Sequence, residues 1–167
     1  VEVDLLAGEN RQGNHLGRNP AGQIPTLELD DGSFLSEVTV IAEYIDEKQG
    51  GSLLGATAEE RAETRMWTRR IDLNIAEPMG NGFRFAEGLP LFETRIHVIP
   101  AAADDFKQIA QEKLLWLDGL MDGKDFVCGD RFTIADILLF AFLEFGASVG
   151  QPLDAKCERL QAWYARV

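Results

Sequence analysis

The sequence has few of the residues that metal and redox chemistry require. It contains two cysteines, Cys128 and Cys157, and two histidines, His15 and His97. The cysteines lie far apart in sequence, so they form no Cys-x-x-Cys redox pair, and no zinc-ligand spacing is present. We therefore expect no metal site, and we predict that both thiols are buried or chemically idle. This cysteine usage also agrees with a reducing cytoplasm, our expected location.

Long apolar runs and positive charge are equally scarce. No apolar segment approaches the roughly 20 residues that a membrane-spanning helix needs, and residues 1–20 lack the basic start and apolar stretch of a secretory signal. The 16 lysines and arginines are outnumbered by 28 acidic residues, which gives a formal net charge of −12. This charge argues against nucleic acid or an anionic membrane surface as a partner. A small anionic ligand remains compatible, because a local pocket can oppose the global field.

The first 48 residues mix strand and helix patterns. Residues 1–6 alternate apolar and polar side chains, which predicts a strand. Residues 7–23 are rich in Gly, Asn and Arg and predict a loop with a short helix around His15, itself expected to be a surface loop residue. Residues 24–29 alternate again, which predicts a second strand.

A hairpin and a helix follow. Asp30-Asp31-Gly32 is a strong hairpin signal that leads into a short strand at residues 33–35. Ser36 is predicted to cap the next helix, with Glu37 in its first turn, where the helix dipole favours an anion. Apolar residues then recur at helical spacing up to residue 45.

The rest of the chain is predicted to be helical. Residues 48–52 form a Gly-rich linker, and everything after residue 57 is predicted to be helical. The sequence thus divides into a mixed α/β domain at residues 1–50 and an all-helical domain at residues 57–167. Four helices are expected in the second domain: 59–85, interrupted by Pro78 and Gly80; 91–121, kinked at Pro100; 133–145; and 156–166.

Three motifs, in order along the chain, resemble those of the glutathione S-transferase family. Residues 19–27 read Asn-Pro-Ala-Gly-Gln-Ile-Pro-Thr-Leu, and residues 35–45 read Leu-Ser-Glu-Val-Thr-Val-Ile-Ala-Glu-Tyr-Ile. Residues 128–137, Cys-Gly-Asp-Arg-Phe-Thr-Ile-Ala-Asp-Ile, are similar to the family's helical-domain motif. The resemblance implies a two-domain α+β/α fold, with an incomplete thioredoxin-like domain before an all-helical one. It also implies glutathione as co-substrate and a homodimer.

The first motif implies part of a glutathione site. An Ile-Pro bond that opens a strand is a plausible cis peptide, the form that the family uses. This geometry turns the Ile24 N–H and C=O outward, where they can pair with an extended peptide as an added strand does. The resemblance therefore places Gln23, Ile24 and Pro25 at the glutathione. The alternative is an ordinary proline on an edge strand.

The second motif implies the γ-glutamyl end of that site. In the family a glutamate at the position of Glu37 holds the ammonium group, and a serine beside it binds the carboxylate. Here Val38 occupies the serine position, so only its backbone N–H remains for the carboxylate. We include Thr39 in the set, although a helix turns about 100° per residue and its hydroxyl is no direct replacement. Arg11 is a candidate for the glycyl carboxylate. The alternative for Glu37 is an acid that only stabilises its own helix.

The third motif is structural. Thr133 is predicted as a helix N-cap, with Asp136 three residues later as its capping-box partner and Phe132 with Ile137 as a hydrophobic staple. The resemblance assigns this segment no chemistry.

The resemblance also implies that the catalytic residue lies outside this sequence. In the family a strand, a loop and a helix, roughly 20 residues in all, come before the strand that corresponds to residues 1–6. The Ser, Cys or Tyr that activates the thiol belongs to that loop or helix start. Residues 162–167 resemble the family's near-terminal run with its final tail cut away. We therefore expect a fragment, and we assign no catalytic residue.

The electrophile is expected between the two domains, against the first long helix. Arg70, Asn74, Glu77 and Asn81 recur at helical steps and form one polar stripe. Arg70, Asn74 and Asn81 are the candidate electrophile-binding residues. The alternative is a solvated helix face.

The expected activity is activation of the glutathione thiol for attack on a small apolar electrophile, as in detoxification. Two alternatives remain open. One is a non-enzymatic module of the same fold in a translation or regulatory assembly, which Val38 favours. The other is a glutathione-dependent disulfide reductase or dehalogenase.

Overall fold

The structure, a computed structural model, describes residues 1–167 and contains two compact units, Val1–Ser52 and Leu53–Val167. None of its helices combines the length and the apolar character needed to cross a membrane. The two units differ in kind. The first carries a two-stranded sheet with helices, and the second is helical.

The first unit is built around an antiparallel hairpin. Its elements are a 3-10 turn at Glu9–Arg11, α1 at Gly13–Leu16, β1 at Thr26–Glu28, β2 at Phe34–Ser36 and α2 at Val38–Lys48. Thr26 pairs with Ser36 and Glu28 with Phe34. The tight turn between the strands contains Gly32 at φ 82°, a conformation that glycine adopts without steric cost. The predicted hairpin is therefore confirmed.

The hairpin turn is fixed by a carboxylate. Asp31 Oδ1 accepts hydrogen bonds from the Ser33 hydroxyl at 2.6 Å and from the Ser33 amide at 2.9 Å. These two bonds favour the ionised carboxylate and lower the pKa of Asp31. The local polar sequence thus sets the direction in which β2 leaves the turn.

Two predictions of secondary structure for this unit are wrong. Residues 1–6 form no strand, because the sheet contains only β1 and β2 and offers no partner for them. Asp4 turns the chain instead, since its Oδ1 accepts the amides of Leu6 and Ala7 at 2.8 and 2.9 Å. Ser36 does not cap α2 but pairs within the sheet, and Glu37 takes the N-cap position without a side-chain capping bond.

The second unit contains six α-helices. They are α3 at Ala58–Ile71, α4 at Glu77–Arg84, α5 at Leu89–Phe92, α6 at Ala103–Leu120, α7 at Ile134–Ser148 and α8 at Glu158–Tyr164. A capping box opens α3, in which Thr57 Oγ1 accepts the Glu60 amide and Glu60 accepts the Thr57 amide. The prediction of an all-helical second half is confirmed in outline.

The expected break in the first long helix takes the form of a widened turn. A π-helical segment at Asp72–Ala76 joins α3 to α4, and the Glu77 amide bonds to the Asp72 carbonyl five residues earlier. Pro78 follows directly and has no amide hydrogen to donate. Because the π-turn shifts the hydrogen-bond register by one residue, the chain accepts Pro78 and continues without ending the helix.

The second predicted long helix is wrong in its first part. Instead of one helix from residue 91, the chain has the short α5, irregular turns, and a 3-10 turn at Pro100–Ala102 before α6. Ile99 is non-helical at φ −127° and ψ 76°. The cause is Pro100, whose ring disfavours helical geometry in the preceding residue, so α6 begins after the proline.

The core of the second unit lies between α3, α4, α6, α7 and α8. The buried members at 1% exposure or less are large apolar side chains, and they include Ile71, Ile75, Met79, Leu114, Leu117, Leu139, Leu160 and Trp163. One buried carboxylate ties this core together. Asp136 accepts hydrogen bonds from Thr133, Val127 and Trp163, which confirms the predicted capping box at the start of α7.

Candidate functional site

The open end of the hairpin brings the first two sequence motifs together. The Thr26–Ser36 pair is the last one in the β1–β2 ladder. Residues 24–25 therefore leave the ladder at the same end as residues 37–38. The antiparallel register, and not sequence proximity, places residues 24–25 and the start of α2 at the same end of the hairpin.

The edge at Gln23, Ile24 and Pro25 has unpaired main-chain groups. The Ile24–Pro25 peptide bond is cis, as predicted. Neither the amide nor the carbonyl of Ile24 has a hydrogen-bond partner within the chain, and the residue is 44% exposed. A donor and an acceptor on one exposed residue can pair with an extended peptide.

The Gln23 carbonyl faces the other way, toward buried polar side chains. His15 Nε2 and Asn19 Nδ2 each lie 2.8 Å from the Gln23 oxygen. Asn10 Nδ2 donates to the Gly22 oxygen at 2.7 Å. The prediction that His15 is a surface residue is wrong, since it is only 7% exposed. The His15 ring is buried behind the exposed edge, where it supplies a hydrogen-bond partner for the Gln23 carbonyl.

Sequence reasoning missed Asn10, Asn19 and His15 as one group. Their common signal is that they lie in a polar loop before an edge strand. The loop itself has no regular hydrogen-bond ladder. In such a loop the buried carbonyls need side-chain donors, and Asn and His are suitable donors.

The second half of the site is the start of α2. Glu37 has φ 70°, the only non-glycine residue in the chain with positive φ. Such a conformation costs on the order of 1–3 kcal/mol and persists only where the surrounding structure enforces it. The Glu37 side chain is exposed.

The α2 amides at residues 38–40 have no main-chain partner. The first intrahelical bond runs from the Ile41 amide to the Glu37 carbonyl, and no side chain caps the helix. Val38 is 52% exposed, so its amide lies at an accessible helix start. Free amides and the helix dipole together favour an anion here. Val38 and Thr39 thus present main-chain donors beside an exposed carboxylate.

The stripe proposed for the electrophile is bonded within itself. Asn74 Nδ2 donates to the Arg70 carbonyl at 2.9 Å. Asn81 Nδ2 donates to Glu77 Oε1 at 3.1 Å, and Asn81 Oδ1 accepts from Arg84 at 2.9 Å. The Arg70 guanidinium also lies 4.8 Å from the centre of the Trp67 ring. These contacts are those of a self-satisfied helix face, and a role in ligand binding stays a prediction.

Neither cysteine has the surroundings of a reactive thiol. Both are free and buried, as expected. The Cys128 sulfur contacts the hydroxyls of Thr64 and Thr133. Burial raises the pKa of Cys157 to about 11, and the charges of Asp118 and Asp154 act in the same direction. No group of His, Cys, Asp or Glu side chains in the chain is arranged to hold a metal ion.

The thiols should accordingly resist modification in the folded protein. Burial also raises the pKa of the Cys128 thiol. Only the thiolate reacts quickly, so the raised pKa and the burial keep both sulfurs protonated and shielded at mildly alkaline pH. We expect a thiol-specific disulfide reagent to label neither cysteine in the native chain and both after unfolding in denaturant. Rapid labelling of either residue without denaturant would contradict the burial described here.

Comparison with known proteins shows the family to which the chain belongs. Residues 2–48 match the model of the glutathione S-transferase N-terminal domain, and residues 100–166 match that of its C-terminal domain. Glutathione S-transferase 2 of Saccharomyces cerevisiae is 32% identical over 168 residues, covering 100% of this chain and 72% of the relative. The chain belongs to the glutathione S-transferase family.

A solved structure and a second relative extend the comparison. The structure of a glutathione S-transferase domain-containing protein from Marinobacter aquaeolei is 34% identical, with a TM-score of 0.92 over 99% of this chain and 82% of that one. Human elongation factor 1-gamma is 29% identical over 134 residues, which are 80% of this chain and 29% of that protein. The fold predicted from the sequence, a small α/β domain before a helical domain, is confirmed.

Proposed function

We propose that this protein binds glutathione and transfers it to a small apolar electrophile. The observation that carries the proposal is the shared end of the hairpin. There the unpaired Ile24 main chain and the uncapped start of α2, with the exposed Glu37, leave the same pair of strands. The family membership of the chain supports the same ligand.

The Ile24 edge suits the central residue of the tripeptide. The cysteinyl residue of glutathione carries one amide and one carbonyl in an extended chain, which match the carbonyl and amide of Ile24. Pairing of this kind is strand addition on a single residue. Gln23 and Pro25 flank this contact, and the side chain of Gln23 is exposed.

The start of α2 suits the γ-glutamyl end, which carries an ammonium and a carboxylate. The Glu37 carboxylate would bind the ammonium, and the amides of Val38 and Thr39 would bind the carboxylate. Val38 provides no hydroxyl. Exposed Arg11, which takes part in no ion pair, remains available for the glycyl carboxylate at the other end of the ligand.

The transfer itself needs a glutathione thiolate. A free thiol of this type has a pKa of about 8.5, so little of it is ionised at neutral pH. When the thiolate attacks an electrophilic carbon, a C–S bond forms, the leaving group departs with the bonding electrons, and the thiol proton passes to a base. The residues described here hold and orient the tripeptide. We assign none of them the catalytic role.

Loss of the Glu37 charge should weaken glutathione binding by about tenfold. Glu37→Gln keeps the shape of the side chain but replaces an ion pair with a neutral hydrogen bond, and a tenfold change corresponds to about 1.4 kcal/mol. Isothermal titration calorimetry of this chain with glutathione measures the dissociation constant directly.

Glu59→Gln is the matched control. Glu59 is also an exposed glutamate at a helix start, in the first turn of α3 in the second unit. Its replacement should leave the affinity within twofold. Equal affinities for the wild type and Glu37→Gln would remove Glu37 from the site.

A non-enzymatic module is the second candidate. Elongation factor 1-gamma is among the relatives, and Val38 removes a hydroxyl that the family's glutathione site carries. If millimolar glutathione produces neither a heat of binding in calorimetry nor a change in the protein's spectrum, the non-enzymatic module is favoured. Measurable binding that Glu37→Gln weakens would favour the transferase.

We propose that residues 1–50 form the glutathione-binding domain, and that residues 57–167 provide the electrophile site through Arg70, Asn74 and Asn81. We further propose a cytoplasmic homodimer that acts in detoxification. Analytical ultracentrifugation tests the dimer, and a monomer at micromolar concentration would contradict it.

A further inference from the structure

Three buried side chains act on two consecutive carbonyls behind the Ile24 edge. His15 and Asn19 bond to the Gln23 oxygen, and Asn10 bonds to the Gly22 oxygen. All three residues are at most 7% exposed. Buried donors of this kind are costly to leave unpaired, so each fixes the position of the carbonyl that it contacts.

The Gln23 carbonyl and the Ile24 amide belong to one peptide unit. The Gln23–Ile24 bond is trans, since the Ile24–Pro25 bond is the single cis peptide of the chain. In a trans peptide the C=O and the N–H point in opposite directions. Because the carbonyl is directed to the buried His15 and Asn19, the Ile24 N–H is directed away from them, and it has no partner.

Two hydrogen bonds to one carbonyl also change the donor strength of the N–H in the same peptide unit. Hydrogen bonds in a chain polarise one another, so a C=O that accepts two bonds makes the N–H of the same peptide a stronger donor. Two donors from different directions also restrict rotation of the peptide plane. His15 and Asn19 approach from positions eight and four residues earlier in the chain.

We propose that His15 and Asn19 are positioning residues for the glutathione site, which orient and polarise the Gln23–Ile24 peptide so that the Ile24 N–H is presented to the ligand. This inference rests on the proposed function. The effect passes through the Gln23 carbonyl.

Variants at position 15 separate this role from simple packing. His15→Phe keeps a ring of similar size and removes the donor, and we expect it to weaken glutathione binding about fivefold. His15→Gln keeps a donor and should restore the affinity to within twofold of the wild type. His97→Phe, an exposed histidine in the second unit, is the matched control and should have no effect.

The Ile24 amide gives a readout that does not depend on the ligand. In the ¹⁵N–¹H spectrum of the unliganded chain, its resonance should move in His15→Phe and return toward the wild-type position in His15→Gln. A role in packing alone predicts that stability falls in His15→Phe while the Ile24 resonance stays unchanged, and that result would overturn the proposal.

A second variant keeps the test decisive if His15→Phe does not fold. Asn19→Asp retains the oxygen that accepts the Ala21 amide at 3.1 Å and replaces the donor to Gln23 with an oxygen. It should also shift the Ile24 amide and weaken binding at least fivefold. An unshifted amide in this variant would overturn the proposal. If the wild type binds no glutathione, the proposed function fails, and the Ile24 resonance alone then decides whether these side chains control the peptide.

Discussion

Replacing Asp136 with alanine is expected to lower the free energy of unfolding of the helical unit by about 4 kcal/mol. Asp136 is fully buried, and its Oδ1 accepts the Val127 amide at 2.9 Å and Trp163 Nε1 at 3.0 Å. Its Oδ2 accepts the amide and the hydroxyl of Thr133 at 2.9 and 3.1 Å. Alanine leaves three buried N–H groups without an acceptor, each of which costs roughly 1–3 kcal/mol.

Urea denaturation followed by tryptophan fluorescence measures this loss, because the chain's tryptophans all lie in the helical unit. Asp136→Asn should lose less stability, since the one oxygen of its amide still accepts the hydrogen bonds on one side of the network. Glu158→Ala removes an exposed acid from the first turn of α8 and should change stability by less than about 0.5 kcal/mol. A loss below about 1 kcal/mol in Asp136→Ala would show that the network does not stabilise the fold.

Replacing Gly146 with alanine should destabilise the same unit by about 3 kcal/mol. Gly146 is a buried residue of α7, and a Cβ there would lie 2.7 Å from the Gln151 backbone oxygen and 2.8 Å from the Met79 sulfur. The Met79 side chain can move, but the Gln151 carbonyl belongs to a backbone segment whose amide bonds back to the Gly146 carbonyl at 2.7 Å. The new methyl group can be accommodated only if α7 or that segment shifts.

Gly119→Ala is expected to stabilise the helical unit, in contrast to Gly146→Ala. Gly119 lies in α6, and a Cβ there meets no atom within 4 Å. Alanine has the higher helix propensity, so this variant should gain about 0.5–1 kcal/mol. Measured together by urea denaturation, the two variants separate the packing effect from the helix-propensity effect. Gly146→Ala as stable as the wild type would mean that α7 does not approach the Gln151 backbone as closely as described.

Short-range patterns predicted the local elements that depend on few neighbours. Asp30-Asp31-Gly32 predicted the hairpin because its turn is fixed by residues within the turn. Thr133 and Asp136 predicted the start of α7 because a capping box needs only four consecutive residues. The prediction of a strand failed where a distant part of the chain had to supply the pairing strand. Residues 1–6 have the alternation of a strand, but no neighbouring strand pairs with them.

By itself the sequence predicted the order of an α/β unit and a helical unit, which follows from local spacing and turn chemistry. The family followed from three motifs that resemble it, and the comparisons confirm it. Only the tertiary structure decided that His15 is buried against the Gln23 carbonyl and that Glu37 takes a positive φ. It also decided that a π-turn accommodates Pro78. The reason is physical. The sequence shows which groups a side chain is able to bond, whereas burial and backbone register determine which of those bonds form.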